Sequence, residues 1–323
     1  MSSNQFPQTL YKLRDVFESH RDRPWIFLRP LGNWGDDLIF AGAERMADSL
    51  GLNWRSFETV EFQAMATTSD HCIYLHGGGG FNHWCSGRAI VNLELALNRS
   101  VHLVVQGPVS TEGSSEWLAD RFKQALSCIR PRDFLFFARE KFTLQVLNDV
   151  ELPKLGATLC LDHDTALALS DEDVLAIAEL KSMPIGNYDL IVLREDPEQP
   201  IRPTTGGMWT GSLASRAITL DPAYAAINFR HWVRIHLYAK SIITNRLHSS
   251  IIGTVAGKPV TLGPGSYHKN RSVWDYSLAN RGVQWTDSIE SPPNTLWNRL
   301  PKRIQNSYKV RRLRLAVNRV PLS

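Results

Sequence analysis

Ile243-Thr-Asn-Arg-Leu-His-Ser-Ser-Ile-Ile-Gly-Thr-Val-Ala-Gly-Lys-Pro-Val260 reads as a strand, a polar elbow, a helix and the start of another strand. The apolar run ending at Ile243 is strand-like, Thr244 to His248 is the elbow, and an apolar helix runs to Ala256 before Gly257 stops it. An elbow at the carboxyl end of a strand, feeding a helix N-terminus, is where open α/β sheets bind ligands. Arg246 offers a permanent forked charge for a phosphate or carboxylate. His248 can carry a proton near neutral pH. The competing structural reading ties Arg246 into an ion pair beside a satisfied histidine.

Working outward, the same rhythm recurs through the N-terminal half. Thr9 to His20 has the apolar spacing of an amphipathic helix. Pro24–Arg29 reads as a strand, followed by the loop Pro30-Leu-Gly-Asn-Trp-Gly-Asp-Asp37 and a helix from Leu38 to Leu50. Asp36 or Asp37 is placed either to cap that helix or, with Asn33, to reach a ligand. Cys72–His76 is a strand entering Gly77-Gly-Gly-Gly80, a run that removes every Cβ from an expected strand-to-helix turn and lets backbone N–H groups meet an anion. It is neither a dinucleotide fingerprint nor a Walker loop. Val101–Gln106, Asp133–Glu140 and Thr158–Asp162 are further strands. The Asp133 strand ends in Arg139-Glu140, a structural pair or a ligand-facing cation. This alternation predicts a parallel, doubly wound sheet.

A helix from Asp171 and a linker precede a second α/β unit. It comprises a strand Tyr188–Leu193 ending at Arg194, a loop Glu195–Gly211, a helix Pro222–Lys240, the elbow, and a strand Pro259–Leu262. The segment Tyr267-His-Lys269-Asn-Arg271 and a helix Ser272–Asn280 follow, with Val283–Trp285 as the last strand. The expected division is 1–170, 171–295 and a tail, 296–323.

The net charge of +4 is carried by that tail. Residues 301–323 hold seven Lys and Arg and no acid, which leaves the first 300 at −3 and argues against a nucleic-acid-binding body. A basic amphipathic helix from about Thr295 to Arg319 either lies on an anionic membrane or packs back on the body. Four widely spaced cysteines without a Cys-x-x-Cys pair argue for reduced thiols in the cytoplasm and against zinc. No signal peptide or membrane-spanning run is evident.

Taken in order, Gly32-Asn-Trp-Gly-Asp36, His76-Gly-Gly-Gly-Gly-Phe81, Ala138-Arg139-Glu140 and Thr244-Asn-Arg246-Leu-His248 with its Gly-Lys-Pro exit resemble the polysaccharide pyruvyltransferase family. Ala138 and Thr165 stand where family members often carry serine and proline. The resemblance implies two Rossmann-like domains facing across a cleft, similar to the GT-B glycosyltransferases, with the acceptor on the N-terminal side and the donor on the C-terminal side. It implies transfer of pyruvate from phosphoenolpyruvate to two hydroxyls of an exopolysaccharide sugar or its lipid-linked precursor, as a cyclic ketal. Arg246, Leu247 and His248, with Arg139, would contact the donor.

The residue types suit that chemistry. A donor with a carboxylate and a phosphate needs two cations, here Arg246 with Arg139 or Arg194. His248 is the candidate general acid, Asp36 or Glu140 the group that orients or deprotonates a hydroxyl. Gly78, Gly79 and Gly80 would wall the anion or acceptor, and Lys269, with Tyr267 and Arg271, forms a secondary group. No metal and no cofactor beyond the donor is expected. The rival readings are a nucleotide-sugar glycosyltransferase and a silent sugar-binding scaffold.

Overall fold

A computed structural model describes residues 11–30, 32–85, 87–194 and 217–289. The loop expected over 195–211, the tail helix over 295–319 and the start of the helix expected from Thr9 lie outside the described residues. The remainder divides into two compact units, residues 11–30 with 42–165, and residues 32–41 with 166–289. The break between the units falls at 165/166, and residues 32–41 join the second unit rather than the first, where their place in the chain would put them.

The first unit is a seven-stranded, all-parallel sheet built from β1 (Pro24–Arg29), β2 (Asn53–Glu58), β3 (Cys72–Leu75), β4 (Gly78–Phe81), β5 (Leu103–Thr111), β6 (Asp133–Ala138) and β7 (Thr158–Leu161). Its order is β2-β1-β3-β5-β6-β7, with β4 paired alongside β5. β1 is buried on both faces along Trp25–Leu28, which is why its sequence is continuously apolar. Phe17, Trp25, Phe27 and Tyr74 pack against one another with ring centroids 4.8 to 6.3 Å apart.

Two features of this sheet depart from expectation. β2 escapes a search for apolar runs because Asn53-Trp-Arg-Ser-Phe-Glu58 is a half-exposed strand outside β1. The glycine run is not a strand-to-helix turn: Gly78–Phe81 forms β4, in register with Val109 and Thr111 of β5. β5 itself runs through Gly107-Pro108, where the register slips between Gln106 and Val109 and its neighbour changes from β3 to β4. Proline inside a sheet is confined to such irregularities. Both glycines flanking this crossing are sterically required, since a Cβ on Gly77 would lie 2.1 Å from the Pro108 carbonyl oxygen and one on Gly107 2.4 Å from the Tyr74 hydroxyl.

The second unit is a five-stranded parallel sheet of β8 (Tyr188–Val192), β9 (Ala217–Leu220), β10 (Ala239–Thr244), β11 (Val260–Leu262) and β12 (Gln284–Trp285), in the order β12-β11-β10-β8-β9. The helix expected over Pro222–Lys240 is two helices, Pro222–Ala225 and Phe229–Leu237. Asn228 caps the second by accepting the His231 N–H, and residues 239–240 already belong to β10. The core includes Leu190, Ile242, Leu247 and Ile251, completed by Leu38 from the segment 32–41. Among the described residues no helix is long and apolar enough to cross a membrane.

Candidate functional site

The chain lays β9 on one side of β8 and then returns to lay β10 on the other. The carboxyl ends of β8 and β10 therefore flank the topological switch point, where open α/β sheets leave room for a ligand. The elbow Thr244–His248 sits there. Thr244 Oγ1 accepts the Arg246 N–H at 2.8 Å. The Asn245 side chain accepts the Arg194 N–H at 2.8 Å, and its backbone N–H donates to the Val192 carbonyl at 3.2 Å. Asn270 Nδ2 donates to the carbonyls of Asn245 at 2.8 Å and Gly263 at 3.0 Å. Two buried amides thus tie together the ends of β8, β10 and β11, as a buried polar network must if it is to rigidify rather than destabilise.

Arg246 occupies the N-cap of the helix Leu247–Val255 in an extended conformation. Its Nη2 donates to Asp221 Oδ2 at 2.5 Å, and the two side chains are 9% and 2% exposed. Asp221 also caps the next short helix through the Ala223 N–H at 3.1 Å. Sequence reading missed Asp221, whose only signal was Asp-Pro at a helix start. Leu247 turns into the core, so its contribution is to anchor the elbow. His248 stands half-buried on the first turn, where aligned N–H groups make the helix end electropositive. Gly35 lies against it: a Cβ there would come within 2.4 Å of His248 Nδ1. The Gly32–Asp36 loop and the elbow are therefore brought together within the second unit.

Beneath the elbow, His236 is completely buried. Its Nδ1 lies 2.8 Å from the Trp232 carbonyl and its Nε2 2.9 Å from Ser249 Oγ, on the residue after His248. A carbonyl only accepts, so Nδ1 carries the proton and Nε2 accepts from the serine. Burial pushes this imidazole down to about 4, against its backbone hydrogen bond, so it is a neutral strut.

The other expected residues sort by what holds them. Asn33 and Asp36 are capping groups: Asn33 Oδ1 accepts the Gly35 N–H and Asp36 accepts the Asn33 N–H, both at 2.8 Å, a reciprocal box at the start of the helix Trp34–Ser49. Lys269 is buried with its ammonium 5.0 Å from the Tyr267 ring centroid, and its neighbour Asn270 binds the elbow directly. Arg271 lies 5.0 Å from the ring centroids of both Trp274 and Trp285 and pairs with Asp275, so it serves the surface of the last turns. Arg194 is half-buried at the end of β8, held to the elbow by its backbone.

In the first unit Arg139 and Glu140, read as a structural pair or as a ligand-facing cation beside an acid, do not pair with each other. Arg139 is 1% exposed, with Nε donating to Ser110 Oγ at 2.8 Å and Nη1 to Asp164 Oδ2 at 2.7 Å. Glu140 is fully buried as the N-cap of the helix Lys141–Asp149, accepting the Thr143 N–H at 2.9 Å and its hydroxyl. Gly78, with φ +140°, is buried in β4, and Gly79 and Gly80 are partly exposed beside it. His76, which opens the run, is held well below its ordinary value by burial and by Arg29, and lies 3.7 Å from Glu44. Among the described residues no three His, Cys, Asp or Glu side chains converge as metal ligands.

No family model matches the chain, and no curated protein matches it. The structure is similar to the crystal structure of an uncharacterized protein from Klebsiella pneumoniae subsp. pneumoniae, at a TM-score of 0.63 and 19% identity. The likeness covers 85% of this chain and 97% of that one. At that identity it concerns the fold, a mixed α/β architecture with parallel sheets.

Proposed function

We propose that the protein transfers pyruvate from phosphoenolpyruvate to a sugar diol of an exopolysaccharide or its lipid-linked precursor. The observation that carries the reading is the elbow: Arg246 and His248 at the electropositive start of one helix, at a topological switch point, braced by two buried asparagines and closed on one side by Gly35. An anion-binding group and a proton carrier two residues apart at one helix start are what this donor requires. The reading includes the arrangement the resemblance implies, two Rossmann-like units of GT-B type, the first handling acceptor and the second donor. It also places the protein in the cytoplasm, with the basic tail resting on the inner membrane face.

In this reading the contacts support the following roles. Arg246, aimed by Asp221, binds a donor anion. Arg194 and Lys269 suit the second anion better than Arg139, whose guanidinium is enclosed by Asp164 and Ser110. His248 delivers a proton to the methylene carbon as a sugar hydroxyl oxygen bonds to the central carbon and gives up its own proton. The second hydroxyl then bonds to the same carbon as the bond to phosphate breaks. One hydroxyl proton balances the new methyl group and the other leaves with phosphate. Asp36 and Glu140 are occupied as helix caps, so neither is assigned the hydroxyl's proton.

The test is incubation with phosphoenolpyruvate and a hexoside bearing free 4- and 6-hydroxyls, following phosphate release and the ketal by mass spectrometry. His248→Gln should lower the rate by about 10²- to 10⁴-fold with the melting curve unchanged. Unaltered transfer by that variant removes His248 from the chemistry. Sugar transfer from a nucleotide sugar, with no phosphate released from phosphoenolpyruvate, overturns the reading.

A further inference from the structure

At the carboxyl ends of β4 and β5 in the first unit lies a second constellation that the donor elbow does not use. β4 ends at Phe81, which is buried against Phe122 and Phe136 with ring centroids 5.7 and 5.4 Å away and so fixes the strand's exit. Asn82, fully buried, accepts the Cys85 N–H at 2.8 Å and shapes the single turn His83–Cys85. The turn delivers the His83 imidazole to the surface, where it is 64% exposed. β5 ends beside it and supplies Glu112, whose carboxylate is 9% exposed and accepts from three donors. These are the His83 N–H at 2.9 Å, the Ser115 hydroxyl at 2.9 Å and His83 Nδ1 at 2.6 Å.

The backbone and serine donors already satisfy that carboxylate as a structural group. The imidazole contact adds something different. A carboxylate only accepts, so it holds a proton on Nδ1 and fixes the ring's orientation; in the neutral imidazole this leaves Nε2 as an acceptor. Two tryptophans lie beside the imidazole. Trp84, 37% exposed, has its centroid 4.8 Å from the imidazole, and the half-buried Trp117 has its centroid 6.3 Å away, each ring nearly perpendicular to the histidine. Large aromatic rings left partly in water beside an oriented acceptor fit a ligand with an apolar face and hydroxyls at its rim. A pyranose has that form: its C–H face lies on indole while a ring hydroxyl donates to an imidazole.

We propose that His83, Trp84 and Trp117, with Glu112 positioning His83, form a saccharide-binding subsite in the first unit, at the carboxyl ends of β4 and β5. As the acceptor's seat it rests on the pyruvyl-transfer reading, but its binding of sugar does not. Glu112 is a positioning residue; His83 and the two indoles touch the sugar.

The experiment reads binding and turnover separately on the full chain. Saturation-transfer NMR with methyl β-D-galactopyranoside, methyl β-D-glucopyranoside and methyl α-D-mannopyranoside should show at least one bound by the wild type. His83→Ala, Trp84→Ala and Trp117→Ala should each weaken that signal, with thermal melting as the control for folding. Glu112→Gln should weaken it less, because an amide oxygen still accepts from Nδ1. In transfer assays the same variants should raise the acceptor KM by about 10-fold while leaving the phosphoenolpyruvate KM in place, the loss expected when an oriented contact disappears. Sugar binding that survives in a protein without transfer activity supports the subsite and refutes only the pyruvyl reading. Active wild type whose acceptor KM is unmoved by all three alanine variants overturns the subsite, as does a wild type that binds none of the three glycosides.

Discussion

Arg139 and Arg246 look alike in sequence: each follows a strand, precedes a helix and has a titratable residue within two positions. In the structure each donates to a buried aspartate, at 2.7 and 2.5 Å. They part in what surrounds them. Arg139 follows β6, which lies between β5 and β7, away from any switch in winding, and its successor Glu140 is turned inward as a cap. Arg246 follows β10, beside the switch, and its helix carries His248 half in solvent. Sheet order, which no local stretch of sequence displays, separates an internal ion pair from a candidate anion site.

The largest effect should come from breaking the enclosed pair. Asp164→Asn leaves a guanidinium 1% exposed without its counter-charge, which should cost about 3–5 kcal/mol in urea unfolding. Asp221→Asn should cost less stability, because the Arg246 side chain is 9% exposed against 1% for Arg139, and should instead raise the phosphoenolpyruvate KM. Equal losses from both would erase the distinction.

The next effect is a pH dependence confined to the strut under the elbow. His236 titrates at about 4 in the native chain against an ordinary 6.5, so above pH 6.5 neither state binds its proton and no stability is lost. As pH falls from 6.5 to 4 the unfolded chain takes up a proton that the native one refuses, and stability declines. Below that window the decline from this residue ends, having reached on the order of 3 kcal/mol. His236→Gln should remove one proton's worth of slope between pH 6.5 and 4 in denaturant titrations. An unchanged slope would show that the imidazole protonates in place.

The smallest effect tests the Gly32–Asp36 loop. Asp36→Ala removes half of the reciprocal cap and should cost about 1 kcal/mol, with turnover unchanged if the carboxylate serves only the helix. Turnover slowed by about two orders of magnitude, the loss typical of a missing acid or base, would return Asp36 to the chemistry.

The strands with continuous apolar runs were legible: β1 is bounded as expected, and β3, β6, β7 and β8 lie within a residue or two of the expected limits. What failed to show were elements whose signal is not apolar. β2 alternates at an edge, β4 is made of glycine and β9 is a short strand after a Pro- and Gly-rich stretch. At the site, the elbow was legible because Arg, His and a helix start coincide within five residues. Its supports were not: Asp221 is 25 residues upstream of Arg246, Asn270 is 25 residues downstream of Asn245, and Gly35 meets His248 from the other end of the chain. His83 and Glu112 were invisible for the same reason, being 29 residues apart.

The membership of residues 32–41 in the second unit has a consequence for how the chain is made. Trp34 packs against that unit's core and Leu38 lies within it, yet both emerge from the ribosome well before the strands from Tyr188 onward that they pack beside. Domains usually complete themselves in order of synthesis. Here the second core must wait for its last strands while keeping an early segment in reserve. A fragment starting at Ala166 would leave a hole where Leu38 belongs, so a single cut does not yield two self-sufficient halves. A chain in which 32–41 is joined to 166–323 is expected to fold as that unit alone.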